Sequence, residues 1–266
     1  MTMSFEHENG TIAYDDTRGE GALVLCLPGL GVTRQTYAAF VPQLVAAGYR
    51  VVTMDLRGEG DSDAVWADYS PEAIARDAIA LLRHLGAGPA VLFTNSYTGA
   101  SAIWAAAEAP ELFAAIVLSD PFARVMPKPN PVMRAAVWAV QTFRPLWVTY
   151  WASLYKSGKA DPAERAALSA NLAEPGRMDA LRAMMAADVS VCEARSGEVR
   201  TPALVLMGAE DPDFPDPAAE ARLIAGRIGG TVAMIEGAGH YPHSELPAET
   251  AAAVLAFLRE TEPARA

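Results

Sequence analysis

Apolar runs at residues 22–27, 50–55, 89–94 and 114–119 alternate with helical patterns at 37–47, 71–85 and 100–108. This alternation constrains the chain more than any other feature. Strands that are apolar along their whole length have no face to give to water, so they belong in a parallel sheet with helices on both faces. Ahead of them, 4–8 and 11–15 flank Asn9-Gly10, a dipeptide that suits a tight hairpin turn. Between 121 and 200 strands give way to helical segments separated by Pro and Gly. The alternation then resumes with a strand at 203–207, a helix at 217–228, a strand at 231–235 and a closing helix at 247–259. The expected organisation is a core domain, 1–121 and 200–266, interrupted by a helical cap, 122–199. A chain of 266 residues is long enough for one core with such an elaboration. The residues after Glu260 are expected to fray.

The formal charge of −11 argues against a nucleic-acid groove, which needs Lys and Arg gathered on one face. No apolar run approaches the roughly 18 residues of a bilayer span. Glu6, His7 and Glu8 stand where a secretory leader would be basic and then apolar. A cytoplasmic protein with no membrane partner is therefore expected. The two cysteines, Cys26 in a strand-like run and Cys192 far along the chain, read as buried or incidental thiols. The four histidines show no metal-ligand spacing, so no metal site is expected.

The chemistry concentrates at strand ends. The strand ending Val91-Leu92-Phe93-Thr94 runs into Asn95-Ser96-Tyr97-Thr98-Gly99 and an Ala-rich helix, which sets Ser96 on a sharp strand-to-helix turn. A hydroxyl there stands above the strand ends, with helix N–H groups facing developing negative charge; the plainer alternative is a helix-capping serine. His240, in Glu236-Gly237-Ala238-Gly239-His240-Tyr241-Pro242, follows the last strand and is the candidate base, while His243 nearby fits a packing role. Asp211, in the turn after 203–207, is the candidate acid; Glu210, Asp213 and, after an earlier strand, Asp120 are its competitors, and a solvated turn is the alternative for all. Oxyanion donors are sought in the Leu30 amide of Pro28-Gly29-Leu30-Gly31 and the Tyr97 amide, because Pro28 has no N–H. The glycine loop lacks the Lys-Ser/Thr ending of a phosphate-binding loop.

Ser96, Asp211 and His240 occur in this order, each after a strand, and Asp55-Leu56-Arg57-Gly58-Glu59-Gly60-Asp61-Ser62 forms a recognisable turn after an early strand. On these residues the chain resembles the α/β-hydrolase superfamily. The resemblance implies an α/β-hydrolase fold, a mostly parallel central sheet with helices on both faces and a helical cap inserted late. It implies a serine hydrolase that forms an acyl-Ser96 intermediate on a carboxylic ester, lactone or thioester and needs no cofactor. Two departures stand out. Glu59 replaces the usual His, with a packing role expected, and Thr94 and Thr98 occupy both glycine positions of G-x-S-x-G. Thr98 is expected to face the pocket and Thr94 to bond neighbouring backbone. A binding or sensor protein without turnover and a carbon–carbon hydrolase are the alternatives.

Within the cap, Leu146, Trp147, Tyr150, Trp151, Leu154 and Tyr155 form one apolar stripe and Val132, Met133, Ala136, Val137 and Val140 a second. Both are expected mainly to pack the cap onto the sheet. An apolar pocket between two packed units favours a small hydrophobic substrate. Arg124, Arg134 and Arg144 are candidates for holding a carboxylate, and a homo-oligomer is compatible with the sequence.

Overall fold

The computed structural model describes residues 2–156 and 160–261; the terminal residues expected to fray lie largely outside this range. In chain order the elements are β1 (Met3–His7), β2 (Gly10–Asp16), β3 (Leu23–Leu27), α1 (Val41–Ala46), β4 (Arg50–Met54), α2 (Pro71–His84), β5 (Ala90–Asn95), α3 (Thr98–Glu108) and β6 (Phe113–Ser119). Next come α4 (Pro131–Thr142), α5 (Arg144–Ser153), α6 (Pro162–Asn171), α7 (Arg177–Ala186) and α8 (Ser190–Ala194). The chain then closes with β7 (Ala203–Gly208), α9 (Pro217–Ile228), β8 (Thr231–Ile235), α10 (Pro242–Glu245) and α11 (Pro247–Thr261).

The strands form one eight-stranded sheet in the order β1-β2-β4-β3-β5-β6-β7-β8. β1 and β2 are antiparallel, β2 meets β4 antiparallel, and every later pairing is parallel. The period of two along each strand sorts its side chains onto opposite faces. Leu25, Leu27, Leu92, Ile116, Leu118, Val205 and Met207 pack with α2, α3 and α9 side chains such as Ile74, Ile103 and Ile224. Val24, Cys26, Val91, Phe93, Val117 and Leu206 pack on the other face with Leu44 of α1 and with Val254 and Leu258 of α11. This is an α/β-hydrolase fold, with a mostly parallel sheet between helical layers. Cys26 and Cys192 are free and buried. No helix of the described residues is long and apolar enough to cross a membrane.

Three local expectations are corrected. The hairpin turn is Glu8-Asn9, with Glu8 at φ 50°, and Gly10 is already paired with His7. Burial decides this register, since a one-residue slip would turn the buried Phe5, Ile12 and Tyr14 to solvent. The helix expected at 37–47 splits into a 3₁₀ turn, Arg34–Tyr37, and α1. Pro42, which lacks an N–H, stands in the first turn of α1. The second apolar stripe does not pack onto the sheet: α4 leans on α5 and α7, and none of its residues is buried.

The inserted helices touch loops at the carboxyl ends of several strands. Trp147 Nε1 donates to Gly31 O after β3, Asn171 exchanges hydrogen bonds with Gly60 after β4, Tyr150 OH donates to Asp213 after β7, and Leu154 O accepts from His240 N after β8. The insertion therefore covers the end of the sheet to which the candidate residues belong.

Under the early turn, Arg57 is fully buried and forms a two-pronged pair with Asp77 of α2, Nε to Oδ2 and Nη2 to Oδ1, both at 2.7 Å. Its remaining N–H groups reach the Asp68 and Ala73 carbonyls. Removing Asp77 would leave the buried guanidinium only the partly exposed Glu8 carboxylate, 3.3 Å away, to answer its charge. Asp77→Asn is thus expected to destabilise the protein by about 3–5 kcal/mol in urea unfolding; a loss below about 1 kcal/mol would mean that water reaches the guanidinium.

Candidate active site

Between the end of β5 at Asn95 and the start of α3 at Thr98 the chain has only Ser96 and Tyr97 in which to turn. Ser96 makes the turn at φ 59°, a left-handed conformation that a residue with a Cβ rarely adopts. Its N–H donates to Ser119 O at 2.8 Å, and its carbonyl accepts from Gly99 N and Phe122 N, each at 3.0 Å. The Ser96 side chain makes no capping bond to α3, so the helix-cap alternative does not account for it. Gly29 lies directly beneath, where an added Cβ would press on the Ser96 Cβ at 3.0 Å.

The adjacent parallel strands β7 and β8 carry Asp211 and His240 to the same end of the sheet. Their loops approach closely at Gly208, where any Cβ would run into the Gly239 carbonyl, and Glu210 N donates to Ala238 O at 2.9 Å. His240 Nδ1 lies 2.7 Å from Asp211 Oδ2, and both side chains are buried. The other Asp211 oxygen accepts the Asp213 N–H at 2.9 Å. Asp213 Oδ2 is 3.8 Å from the same ring nitrogen, and Tyr150 OH of α5 donates to the Asp213 carboxylate at 2.8 Å. Burial works against a charged imidazole here. The fields of Asp211, Asp213 and Asp120 outweigh it and lift the His240 pKa to about 10.

Asp120, the alternative acid, is fully buried at φ 47°. It accepts Gly208 N at 2.8 Å and the Ser119 hydroxyl at 2.8 Å. Burial first, and the neighbouring Asp211 second, hold its carboxyl well above the usual range. One ligand atom each from Asp120, Asp211 and His240 lies within 4.8 Å of the others. Each of the three side chains already takes part in a hydrogen bond within the protein.

His243 is also buried, but against Tyr37, Phe93 and Tyr241, with Nε2 3.2 Å from Thr36 Oγ1. Burial lowers its pKa to about 3, which suits a neutral packing residue. Among the described residues, the Leu30 and Tyr97 N–H groups have no internal acceptor and flank the elbow. No hydrogen bond joins Ser96 Oγ to His240 among the described residues. Arg124, a candidate carboxylate binder, is held by Glu220 through two 2.7 Å bonds. A cavity of about 470 Å³ lined by Val32, Gln35, Asp61, Trp151, Glu164 and Asn171 includes none of Ser96, Asp211 and His240.

Sequence reasoning missed two supports. Asn95 Nδ2 donates to His240 O at 3.1 Å and Ser119 O at 3.3 Å, tying the elbow to the histidine loop. Nothing in the local pattern signals that contact. Tyr150 had a signal, its place in the aromatic stripe, but not its partner. Thr98 is a correction: its side chain is fully buried and does not face the pocket. Its hydroxyl accepts Asn95 N and lies 2.9 Å from Asn95 O and 3.1 Å from Pro28 O, donating to one at a time. Thr94 bonds Val117 O at 3.2 Å, as expected.

A sequence model described as the alpha/beta hydrolase family matches residues 24–253. The chain is 27% identical over 252 residues to a 2-(acetamidomethylene)succinate hydrolase of Mesorhizobium japonicum, covering 91% of this chain and 89% of that one. It is 37% identical over 108 residues to a 2-hydroxy-6-oxo-6-phenylhexa-2,4-dienoate hydrolase of Burkholderia cepacia, covering only 39% of this chain and 37% of that one. A thermophilic esterase structure from Thermogutta terrifontis superposes with TM-score 0.78 at 25% identity, covering 96% and 95% of the two chains.

The Thr98 hydroxyl bolts the elbow to the Pro28 loop, so its loss should act on rate and not on acyl preference. Thr98→Val is expected to lower kcat on an activated ester about tenfold, the scale of one buried hydrogen bond, with Thr98→Ser close to the parent. The kcat/KM profile against acyl chain length should stay parallel; a changed profile would return Thr98 to the pocket.

Proposed function

The chain belongs to the alpha/beta hydrolase family, and from that premise we propose that it is a serine hydrolase that cleaves a hydrophobic carboxylic ester, lactone or thioester through an acyl-Ser96 intermediate. The observation that carries this reading is a strained serine at φ 59° on the elbow at the sheet end where a buried Asp211–His240 pair lies. In the reaction, His240 Nδ1–H donates to Asp211, which leaves Nε2 to take the Ser96 proton as Oγ attacks the carbonyl carbon. The oxyanion is received by the Leu30 and Tyr97 N–H groups at the uncapped start of α3. The imidazolium returns its proton to the departing alcohol or thiol. Water, deprotonated by His240, then attacks the acyl carbon and releases Ser96.

Aromatic surroundings support an apolar substrate. The Phe122 ring lies 5.9 Å from His240 and 4.9 Å from Phe214, and Trp147 covers the Gly31 loop. The similarity to an esterase and to two hydrolases of organic acids agrees with attack at a carbonyl. Threonine in both glycine positions was a reason to consider a silent sensor, yet Ser96 keeps its left-handed φ with both threonine hydroxyls bonded to backbone.

A serine-reactive phosphonate is expected to label the protein on the peptide that contains Ser96, and Ser96→Ala to abolish both labelling and ester turnover. Labelling elsewhere, or turnover that survives Ser96→Ala, would overturn the proposal.

The pH profile provides a separate check. A pKa raised to about 10 keeps the ring protonated above its ordinary 6.5, and a protonated ring cannot act as base. Activity should therefore rise with pH, with the acid limb centred above pH 6.5. Asp213→Asn removes one charge that favours the imidazolium and should move the limb to lower pH. Asp120→Asn removes the last-named of the three contributing carboxyls and should move the limb less than Asp213→Asn does. Asp211→Asn should cut kcat roughly a thousandfold or more in a folded protein. A limb unmoved by Asp213→Asn would exclude that carboxylate from the electrostatics of the base.

A further inference from the structure

The first part of the insertion differs from the rest of the molecule in two respects at once. Residues 121–156 contain five Lys or Arg and no Asp or Glu, in a chain with 32 acidic and 21 basic residues. No residue of α4 is buried; Val132 is 80% exposed, Trp138 57% and Met133 54%, whereas Val137 and Val140 are half-covered and Val140 packs against the Trp147–Trp151 cluster. Phe143 and Leu146 extend this face into α5, and Phe143 meets Trp138 edge to face at 5.9 Å. Isolated exposed apolar residues are ordinary, but a run of this size along one helix calls for an occupant.

The charges beside it are equally available. Among the described residues, Lys128, Arg134 and Arg144 have no carboxylate partner; Arg144 Nη1 reaches only the Ser169 carbonyl, at 3.4 Å. The neighbouring acids are already engaged, Glu220 with Arg124 and Glu193 with Arg227 and the Val125 N–H. We propose that this face docks on an anionic lipid bilayer, with α4 lying in the interfacial plane. Val132, Met133, Trp138 and Phe143 enter the boundary between headgroups and acyl chains, and Lys128, Arg134 and Arg144 meet lipid phosphates.

Charge complementarity selects this occupant. A second copy docking through the same face about a two-fold axis would set these cations against their equivalents, with no carboxylate to answer them. A free anion would leave the apolar side chains unused. Basic residues flanking Trp and aliphatic side chains on one helix match an interfacial segment, which needs no bilayer-spanning length. The net charge of −11 repels an anionic surface overall, and screening over about 8–10 Å confines the attraction to the face that touches. Because α5 follows directly and carries Trp147 onto Gly31, the docked face is continuous with the elements beside Ser96. The inference rests on surface chemistry alone and does not depend on the hydrolytic reading.

The test is cosedimentation of the full chain with phosphatidylcholine vesicles and with mixed phosphatidylcholine–phosphatidylglycerol vesicles, at low and high salt, with tryptophan emission read in parallel. Binding is expected only to the mixed vesicles, weakened by salt, with a blue-shifted emission. The double variants Trp138→Ser/Phe143→Ser and Lys128→Glu/Arg134→Glu should each weaken binding about tenfold or more while keeping the parent circular dichroism. Trp138→Phe should bind like the parent without the emission shift. Failure of the folded parent to bind, equal binding to neutral and anionic vesicles, or full binding by both double variants overturns the proposal. A homodimer that Trp138→Ser/Phe143→Ser dissociates, without lipid binding, assigns the face to a second copy.

Discussion

Holding a side-chain-bearing residue at φ 59° stores roughly 1–3 kcal/mol of strain, which persists only where the surroundings leave no alternative. Around Ser96 they do not. The residue before it is locked into a strand flanked by β3 and β6, and the residue after it opens α3. Relaxing the turn would break the bonds of Ser96 with Ser119 and Phe122 and draw the Thr98 hydroxyl away from the Pro28 loop. Phe122 lies beside His240, so the same distortion would disturb the base as well as the nucleophile of the proposed reaction. The strain is thus carried by contacts that also assemble the site.

The loop beneath the elbow is held from two sides. Gly31 N donates to Glu59 Oε1 at 2.5 Å, and Gly31 O accepts the Trp147 indole at 3.2 Å. A side chain at position 31 would collide with the Trp147 ring and would have to sit at φ 66°, so only glycine admits both partners. Glu59 therefore does more than fill space. Its burial pushes the carboxyl well above the usual range, while the Gly31 N–H that it accepts draws it back. The bond to Gly31 is a physical reason for a glutamate at this position.

Three carboxyls surround one buried imidazole, yet they are not equivalent. Asp120 is pushed well above the usual carboxylate range, first by burial and then by Asp211 beside it. Asp211 contacts the ring directly, while Asp213 is steadied by a phenol from the inserted helices. The basicity of His240 is in this way linked to the docking of α5.

The sequence by itself determined the sheet, the order of its strands and helices, the insertion between β6 and β7, and the positions of Ser96, Asp211 and His240 after their strands. Those features rest on hydrophobic period and chain order, which are written locally. The tertiary structure alone decided which of Asp120, Asp211 and Asp213 touches the imidazole, because three loops from distant parts of the chain must meet before any distance exists. It also turned Thr98 inward, since the Pro28 loop offers a carbonyl that no neighbour in sequence supplies, and shifted the hairpin turn to Glu8-Asn9, since core burial outweighs turn preference. For α4 the packing decided what stays open: Val140 rests against the Trp147–Trp151 cluster, while Val132 and Met133 of the same stripe, and Trp138 outside it, stand in solvent.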